Sequence, residues 1–270
     1  MAGSVPGGRF VWYDLMTTDP GGAADFYSKV AGWTTAPWEG GQTEEGEAYV
    51  MWMNGETAIG GMMKLPEEAQ QQGAPPHWIA YITTPDADTT IQEAKGLGAR
   101  VLVEPKDLPS VGKFGVLQDP HGAVIAAFTP LEEAPGHRGP PRIGEVSWHE
   151  LVTTNHEEAF RFYSTLFGWQ KTDDMDMGEM GTYQMYGPEK GGPVSYGGMY
   201  NKPAEMPAPP HWLYYVRVGD MQAAVERVKE NGGQVLNGPE EVPGGDWVAQ
   251  CMDPQGAAFA LHSSENLPAE

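Results

Sequence analysis

The chain has 270 residues, enough for two domains with proper cores and no need of a metal or disulfide staple. Sixteen basic residues against 37 acidic ones leave a net charge of −21, which repels nucleic acid and anionic membranes and argues against both as partners. The single cysteine, Cys251, excludes an internal disulfide. No apolar run reaches the ~18 residues of a membrane span, and the N-terminus lacks the basic and apolar regions of a signal peptide, so a cytoplasmic protein is expected.

In chain order, a strand-like run over 10–17 leads to Asp19-Pro20, a helix start, and to a short helix carrying Phe26-Tyr27. Gly32 stops that helix and Trp33 begins the next strand. Strands over 49–53 and 59–64 and a Pro-rich loop come next, and the pattern restarts. A strand is expected over 78–83, a helix over 86–97 stopped by Gly98, and further strands near Val101, over 113–118 and over 123–129. Asp119-Pro120-His121-Gly122 has the residues of a type I turn and joins the last two strands as a hairpin. Residues rich in Pro, Gly and charge then form a linker over 131–142. The acidic runs 39–47 and 173–179 read as solvated surface.

The second half of the chain repeats the first. Trp12, Asp14, Leu15, Thr17 and Thr18 return 136 positions later as Trp148, Glu150, Leu151, Thr153 and Thr154. Phe26-Tyr27 returns as Phe162-Tyr163, Gly32-Trp33 as Gly168-Trp169, and Gly60-Gly61-Met62 as Gly197-Gly198-Met199. Pro75-Pro76-His77-Trp78 matches Pro209-Pro210-His211-Trp212, and Asp119-Pro120-His121-Gly122 matches Asp253-Pro254-Gln255-Gly256. A period of this length is a domain rather than a solenoid repeat. The expected organisation is a domain over 8–130, the linker, and a second domain over 143–264, each of two strand–helix–strand–strand–strand units.

This order of motifs, occurring twice over almost the whole chain, resembles the vicinal oxygen chelate superfamily, which includes glyoxalases, extradiol dioxygenases and bleomycin-resistance proteins. The resemblance implies an α+β fold of paired βαβββ modules whose curled mixed sheets enclose a cup, with helices on the convex side. It also implies a divalent metal in the cup, held by side chains from the first and last strands of each module. Those positions fall on Trp12, Trp78 and Ala126 in the first half, on Trp148, Trp212 and Ala260 in the second, and within the two Gly-Gly-Met runs. Indole, methyl and glycine offer a divalent ion no lone pair, so no metal and no other cofactor is expected.

Strand alternation then puts Trp12, Trp78, Val124, Ala126 and Phe128 in one cup, and Trp148, Trp212, Ala258, Ala260 and His262 in the other, where Tyr214 is also taken as ligand-binding. One acid stands on each first strand, Asp14 and Glu150. His77, His149 and His211 fall on the opposite parity and read as structural. Indole faces beside a carboxylate suit a planar or cationic small molecule. The expected function is metal-independent binding of an aromatic or cationic, antibiotic-like compound. The alternative is a metal-independent isomerase, lyase or epimerase in which Glu150, paired with His262 across the second cup, moves a proton, Asp14 being the first-half equivalent. A metal-dependent glyoxalase or dioxygenase ranks last. No Ser-His-Asp order, phosphate loop or nucleotide fingerprint stands out. A monomer suffices, because the fusion supplies both halves, and a homodimer is allowed.

Overall fold

The computed structural model describes residues 7–42, 48–71, 73–132 and 139–265. The extreme N-terminus, most of the acidic run 39–47 and the middle of the linker, all assigned from sequence, lie outside these residues. The first half runs β1 (Phe10–Thr17), α1 (Pro20–Val30), β2 (Thr34–Gln42), β3 (Ala48–Asn54), β4 (Thr57–Lys64), α2 (Glu67–Gln71), β5 (His77–Thr83), α3 (Ala87–Gly96), β6 (Arg100–Leu108), β7 (Gly112–Gln118) and β8 (Val124–Pro130). The second half repeats it as β9 (Val146–Thr153), α4 (His156–Phe167), β10 (Gln170–Asp176), β11 (Thr182–Gly187), β12 (Gly197–Asn201), β13 (His211–Arg217), α5 (Met221–Glu230), β14 (Gln234–Glu241), β15 (Trp247–Met252) and β16 (Ala258–Ser263). The short helix α2, in the Pro-rich loop, is not expected from the sequence.

Local chemistry explains the punctuation. The side chains of Asp19, Asp86, Asn155 and Asp220 each accept a backbone N–H from the first turn of the next helix. Gly168 ends α4 in the left-handed conformation at φ 72°, which costs a residue without Cβ little. In the Asp119 turn, Oδ1 accepts the backbone N–H of His121, Gly122 and Ala123 at 2.7–3.0 Å, so one carboxylate oxygen fixes the hairpin between β7 and β8.

The strands form two eight-stranded mixed sheets, ordered β2-β3-β4-β1-β5-β8-β7-β6 and β10-β11-β12-β9-β13-β16-β15-β14. Parallel pairs (β1 with β4, β5 with β8, and their copies) are flanked by antiparallel hairpins. Compactness is distributed differently from sequence order. One compact unit gathers β5 to β8 with β9 to β12, and the other gathers most of β1 to β4 with β13 to β16.

In the first of these units, Tyr163 on α4 donates to Asp119 Oδ2 at 2.9 Å and accepts from Trp212 Nε1 at 3.1 Å, all buried. Trp169 Nε1 donates to the Gly8 carbonyl at 2.7 Å, and the Phe10 ring stacks on His149 with centroids 3.7 Å apart. In the second unit, Tyr27 on α1 donates to Asp253 Oδ2 at 3.1 Å and accepts from Trp78 Nε1 at 3.0 Å, while Trp33 Nε1 donates to the Gly144 carbonyl at 2.7 Å. The Phe-Tyr helix of each half is thus tied to the Asp-Pro turn of the other half. Burial raises the Asp253 carboxyl above the usual range despite the donors around it, and pushes the Tyr27 phenol well up.

Candidate functional site

The helices identify the faces of the strands. Trp78 and Trp212 hydrogen-bond to tyrosines on α1 and α4, so both indoles lie on the helix side, not in a cup as the alternation suggested. Tyr214 lies 5.6 Å from Tyr13 and lines, with Tyr27, an apolar cavity of about 10 Å³ on the helix side, and it too leaves the expected cup wall. The parity of these strands is opposite to the expected one. Alternation fixes which residues share a face, not which face meets the helices. His77 and His211 each place Nδ1 2.8 Å from the carbonyl two residues back, and burial lowers both imidazoles.

On the face turned away from α3, Phe128 packs with Val11, Ile79, Tyr81, Val116 and Ala126, and Trp12 lies against this cluster. A Cβ on Gly115 of β7 would meet Ile91 of α3, which puts the neighbouring Phe114 and Val116 on that helix-free face. Phe128 therefore stands on the expected face, within an apolar cluster, whereas Trp12, next to Val11 on β1, is partly buried and only packs against that cluster.

The helix-free face of β9, β11 and β12 is of another kind. Glu150, 6 % exposed, accepts from the Tyr183 hydroxyl at 2.9 Å, and that hydroxyl accepts from Trp148 Nε1 at 2.7 Å. Tyr183 stacks on Tyr200 with centroids 5.8 Å apart. Trp148, Met175, Met177, Met185 and Met206 pack on the core of Val152, Tyr183 and Tyr200. Burial and the Glu150 charge raise the Tyr200 phenol, so it remains a proton donor across the physiological range. Sequence reasoning missed Tyr183, and its only signal was the glycine. A Cβ on Gly198 would collide with the Tyr183 ring, so the strand must be bare for the phenol to cross it to Glu150 on β9.

The first half repeats the device. Tyr49 crosses Gly61 and donates to Asp14 Oδ1 at 2.6 Å, and Trp38 meets the Tyr49 ring edge-on at 5.7 Å. Asp14 is 2 % exposed.

His262 takes partners other than the expected Glu150. Its Nδ1 lies 2.8 Å from Ser147 Oγ and its Nε2 3.2 Å from Asp246 Oδ2. Ser147 and His262, 115 positions apart, meet only through the fold. Cys251 is fully buried and its thiol is pushed up to about 12, so it is inert packing.

The positions implied to hold a divalent metal do not fit one. Trp12, Trp148, Trp78, Trp212, Ala126 and Ala260 offer no donor atom suited to it, and tyrosine rings lie over Gly61 and Gly198. Among the described residues, no group of three or more His, Cys, Asp or Glu could hold a metal, and no helix is long and apolar enough to cross a membrane.

A family model described as the Glyoxalase/Bleomycin resistance protein/Dioxygenase superfamily matches residues 9–127 and again 142–261. A Mycobacterium tuberculosis protein named "Putative glyoxylase CFP32" is 32% identical over 257 residues, covering 93% of this chain and 92% of its own length. The "Anthracycline biosynthesis protein DnrV" of Streptomyces peucetius is 30% identical over 262 residues, covering 94% and 92%. The Mn(II)-bound glyoxalase from Novosphingobium aromaticivorans superposes with a TM-score of 0.62 at 15% identity, over 98% of this chain and 88% of its own, a likeness of fold alone.

Proposed function

Since the chain belongs to the glyoxalase/bleomycin resistance/dioxygenase superfamily, we propose that it binds a planar aromatic or cationic small molecule without a divalent metal, at Trp148, Tyr183 and Glu150. The observation that carries this reading is the phenol of Tyr183 crossing Gly198 to Glu150. The expected metal positions are left to indoles and bare glycine, and the first-strand acid is engaged by a phenol. Around that pair stand an indole, a second tyrosine and four methionines. Aromatic rings supply flat contact area, thioethers adapt to an irregular partner, and a carboxylate pairs with a cationic group. The name of the Streptomyces relative supports a planar ligand, since an anthracycline is a fused aromatic system. Partners of other kinds, nucleic acid and membrane, are disfavoured by the charge of −21.

The test has two arms. Metal analysis of protein purified without chelator, followed by calorimetric titration with manganese and zinc, is expected to give neither stoichiometric metal nor binding. Tryptophan fluorescence titrated with daunorubicin and with ethidium is expected to quench, with Trp148→Phe, Tyr183→Phe and Glu150→Gln each weakening binding about tenfold or more, the equivalent of one charge-assisted or aromatic contact. A tightly held metal, or titrations that the three substitutions leave unchanged, would overturn the assignment.

The second reading is a metal-independent isomerase or lyase in which Glu150 moves a proton. The name of the mycobacterial relative favours testing it. A Glu150→Gln variant that keeps full turnover on any substrate found by screening would eliminate it.

A further inference from the structure

The four methionines around the Tyr183–Glu150 pair are gathered by strand register and two turns. Met175 on β10 is paired across the ladder with Tyr183. Met185 follows Tyr183 two residues on along β11, which puts it on the same face. Met177 lies two residues past Met175, its N–H held by the Gly181 carbonyl at 2.8 Å. Met206 comes from the turn after β12, where its N–H donates to the Pro203 carbonyl at 3.1 Å and its carbonyl accepts from Lys202 Nζ at 2.7 Å. All four pack on the core of Val152, Tyr183 and Tyr200. At repeat offsets of 136 and 134 their first-half counterparts are Glu39, Gly41, Met51 and Gln72, so three of the four thioethers belong to the second half alone.

Burial separates these sulfurs from those of the core. Met62, Met199 and Met221 are no more than 2 % exposed, whereas Met175, Met177, Met185 and Met206 are all half-buried and open to a small solute. A thioether is a weak acceptor, and a sulfoxide is polar. The protons nearby are already committed: the Tyr183 hydroxyl donates to Glu150, and the Trp148 N–H donates to Tyr183. A sulfoxide that turns its oxygen outward makes the contact surface polar. One that turns it inward competes for those two protons and strands a buried carboxylate or phenol.

We propose that Met175, Met177, Met185 and Met206 form a modification site, oxidised to sulfoxides by a small peroxide, and that the change releases the ligand of this face. The inference rests on the ligand-binding reading of Trp148, Tyr183 and Glu150. In each step the thioether sulfur attacks a peroxide oxygen, an S–O bond forms as the O–O bond breaks, and the sulfur gives up two electrons. The transferred oxygen loses its proton to the departing hydroxide, which leaves as water. Sulfoxide reductases, one for each epimer, restore the thioether with electrons from thiols, so the change is reversible.

In the test, full-length protein is treated with graded hydrogen peroxide and the added oxygens are located by peptide mass spectrometry. The four methionines are expected to convert before Met62, Met199 and Met221. As they convert, binding of daunorubicin and ethidium should weaken about tenfold or more, and the two reductases should restore it. Met175→Leu, Met177→Leu, Met185→Leu and Met206→Leu combined keep apolar bulk without sulfur. Whatever affinity that variant starts from, peroxide should leave it unchanged. Met180→Leu removes a thioether 53 % exposed and outside the set, and should lose binding to peroxide as the parent does. Core methionines that oxidise first, full affinity with all four converted, or an equal loss in the leucine variant would overturn the inference. A parent quenched by neither dye defeats the binding reading instead. The Trp148 emission, taken as the difference from Trp148→Phe, then decides the modification site: a red shift on oxidation supports it, and an unmoved band overturns it.

Discussion

Two regions built from the same motifs differ at their centres. In the unit of β5 to β12, Phe10 lies on His149 and against Trp169 and Trp212, and the space is filled. In the other unit, Val146 occupies the position equivalent to Phe10, and an apolar cavity of about 10 Å³ remains among Tyr13, Trp33, Trp52, Trp78 and Phe259. The same holds for hydrogen bonds. Tyr186 donates to the His149 carbonyl at 3.0 Å, whereas its counterpart Trp52 has a buried indole N–H with no partner. One copy has therefore kept tight packing, and the other has room that a duplicate can tolerate, because a void this small costs about 1 kcal/mol or less at ~24 cal/mol per Å³. The helix-free faces diverge in the opposite sense. The apolar cluster around Phe128 stands where the second half carries the hydrogen-bonded set around His262.

The comparison can be broken hardest at Phe10. Phe10→Ala should cost about 3–5 kcal/mol, read as a lowered melting temperature, whereas Val146→Ala should cost about 2 kcal/mol or less, since its site is already loose. Equal losses would mean that the two centres are packed alike.

Next come Tyr163→Phe and Tyr27→Phe. Each removes a hydroxyl that donates to a buried Asp and accepts from a buried indole, leaving two polar groups stranded. A loss of about 2–4 kcal/mol is expected for each in urea unfolding. Because these networks are copies, a difference of more than about 1 kcal/mol between the two would show that the frame has also diverged.

Val146→Ile adds one methylene toward the cavity and should stabilise by up to about 0.8 kcal/mol, while Phe10, in the filled centre, has no substitution that gains in this way. A destabilised Val146→Ile would show that the space is not accessible from β9.

The smallest effect is on pH dependence. Burial lowers the imidazoles of His77 and His211, so the folded chain binds fewer protons there than the unfolded chain. Stability should then fall as pH drops from the usual histidine value near ~6.5 toward the lowered ones, and His77→Asn with His211→Asn should flatten the slope. A slope unchanged in the double variant would assign the pH dependence to other groups.

Sequence alone determined the duplication, the order of strands and helices, the family and the capping residues. These rest on local chemistry that is written twice: Asp or Asn before a helix, glycine where φ is positive, apolar residues at regular spacing. It also located both acidic first-strand residues, Asp14 and Glu150. It could not decide which face of β5 and β13 meets the helices. These strands are buried on both sides, so Trp78 and Trp212 fit the alternation equally well with either parity. Nor could it find Tyr183 over Gly198, or Ser147 beside His262 and Asp246, because a hydrogen bond between residues 33 or 115 positions apart leaves no periodic trace in the chain. Only the tertiary structure brought those atoms together, and the function proposed for this protein rests on the contact of Tyr183 with Glu150.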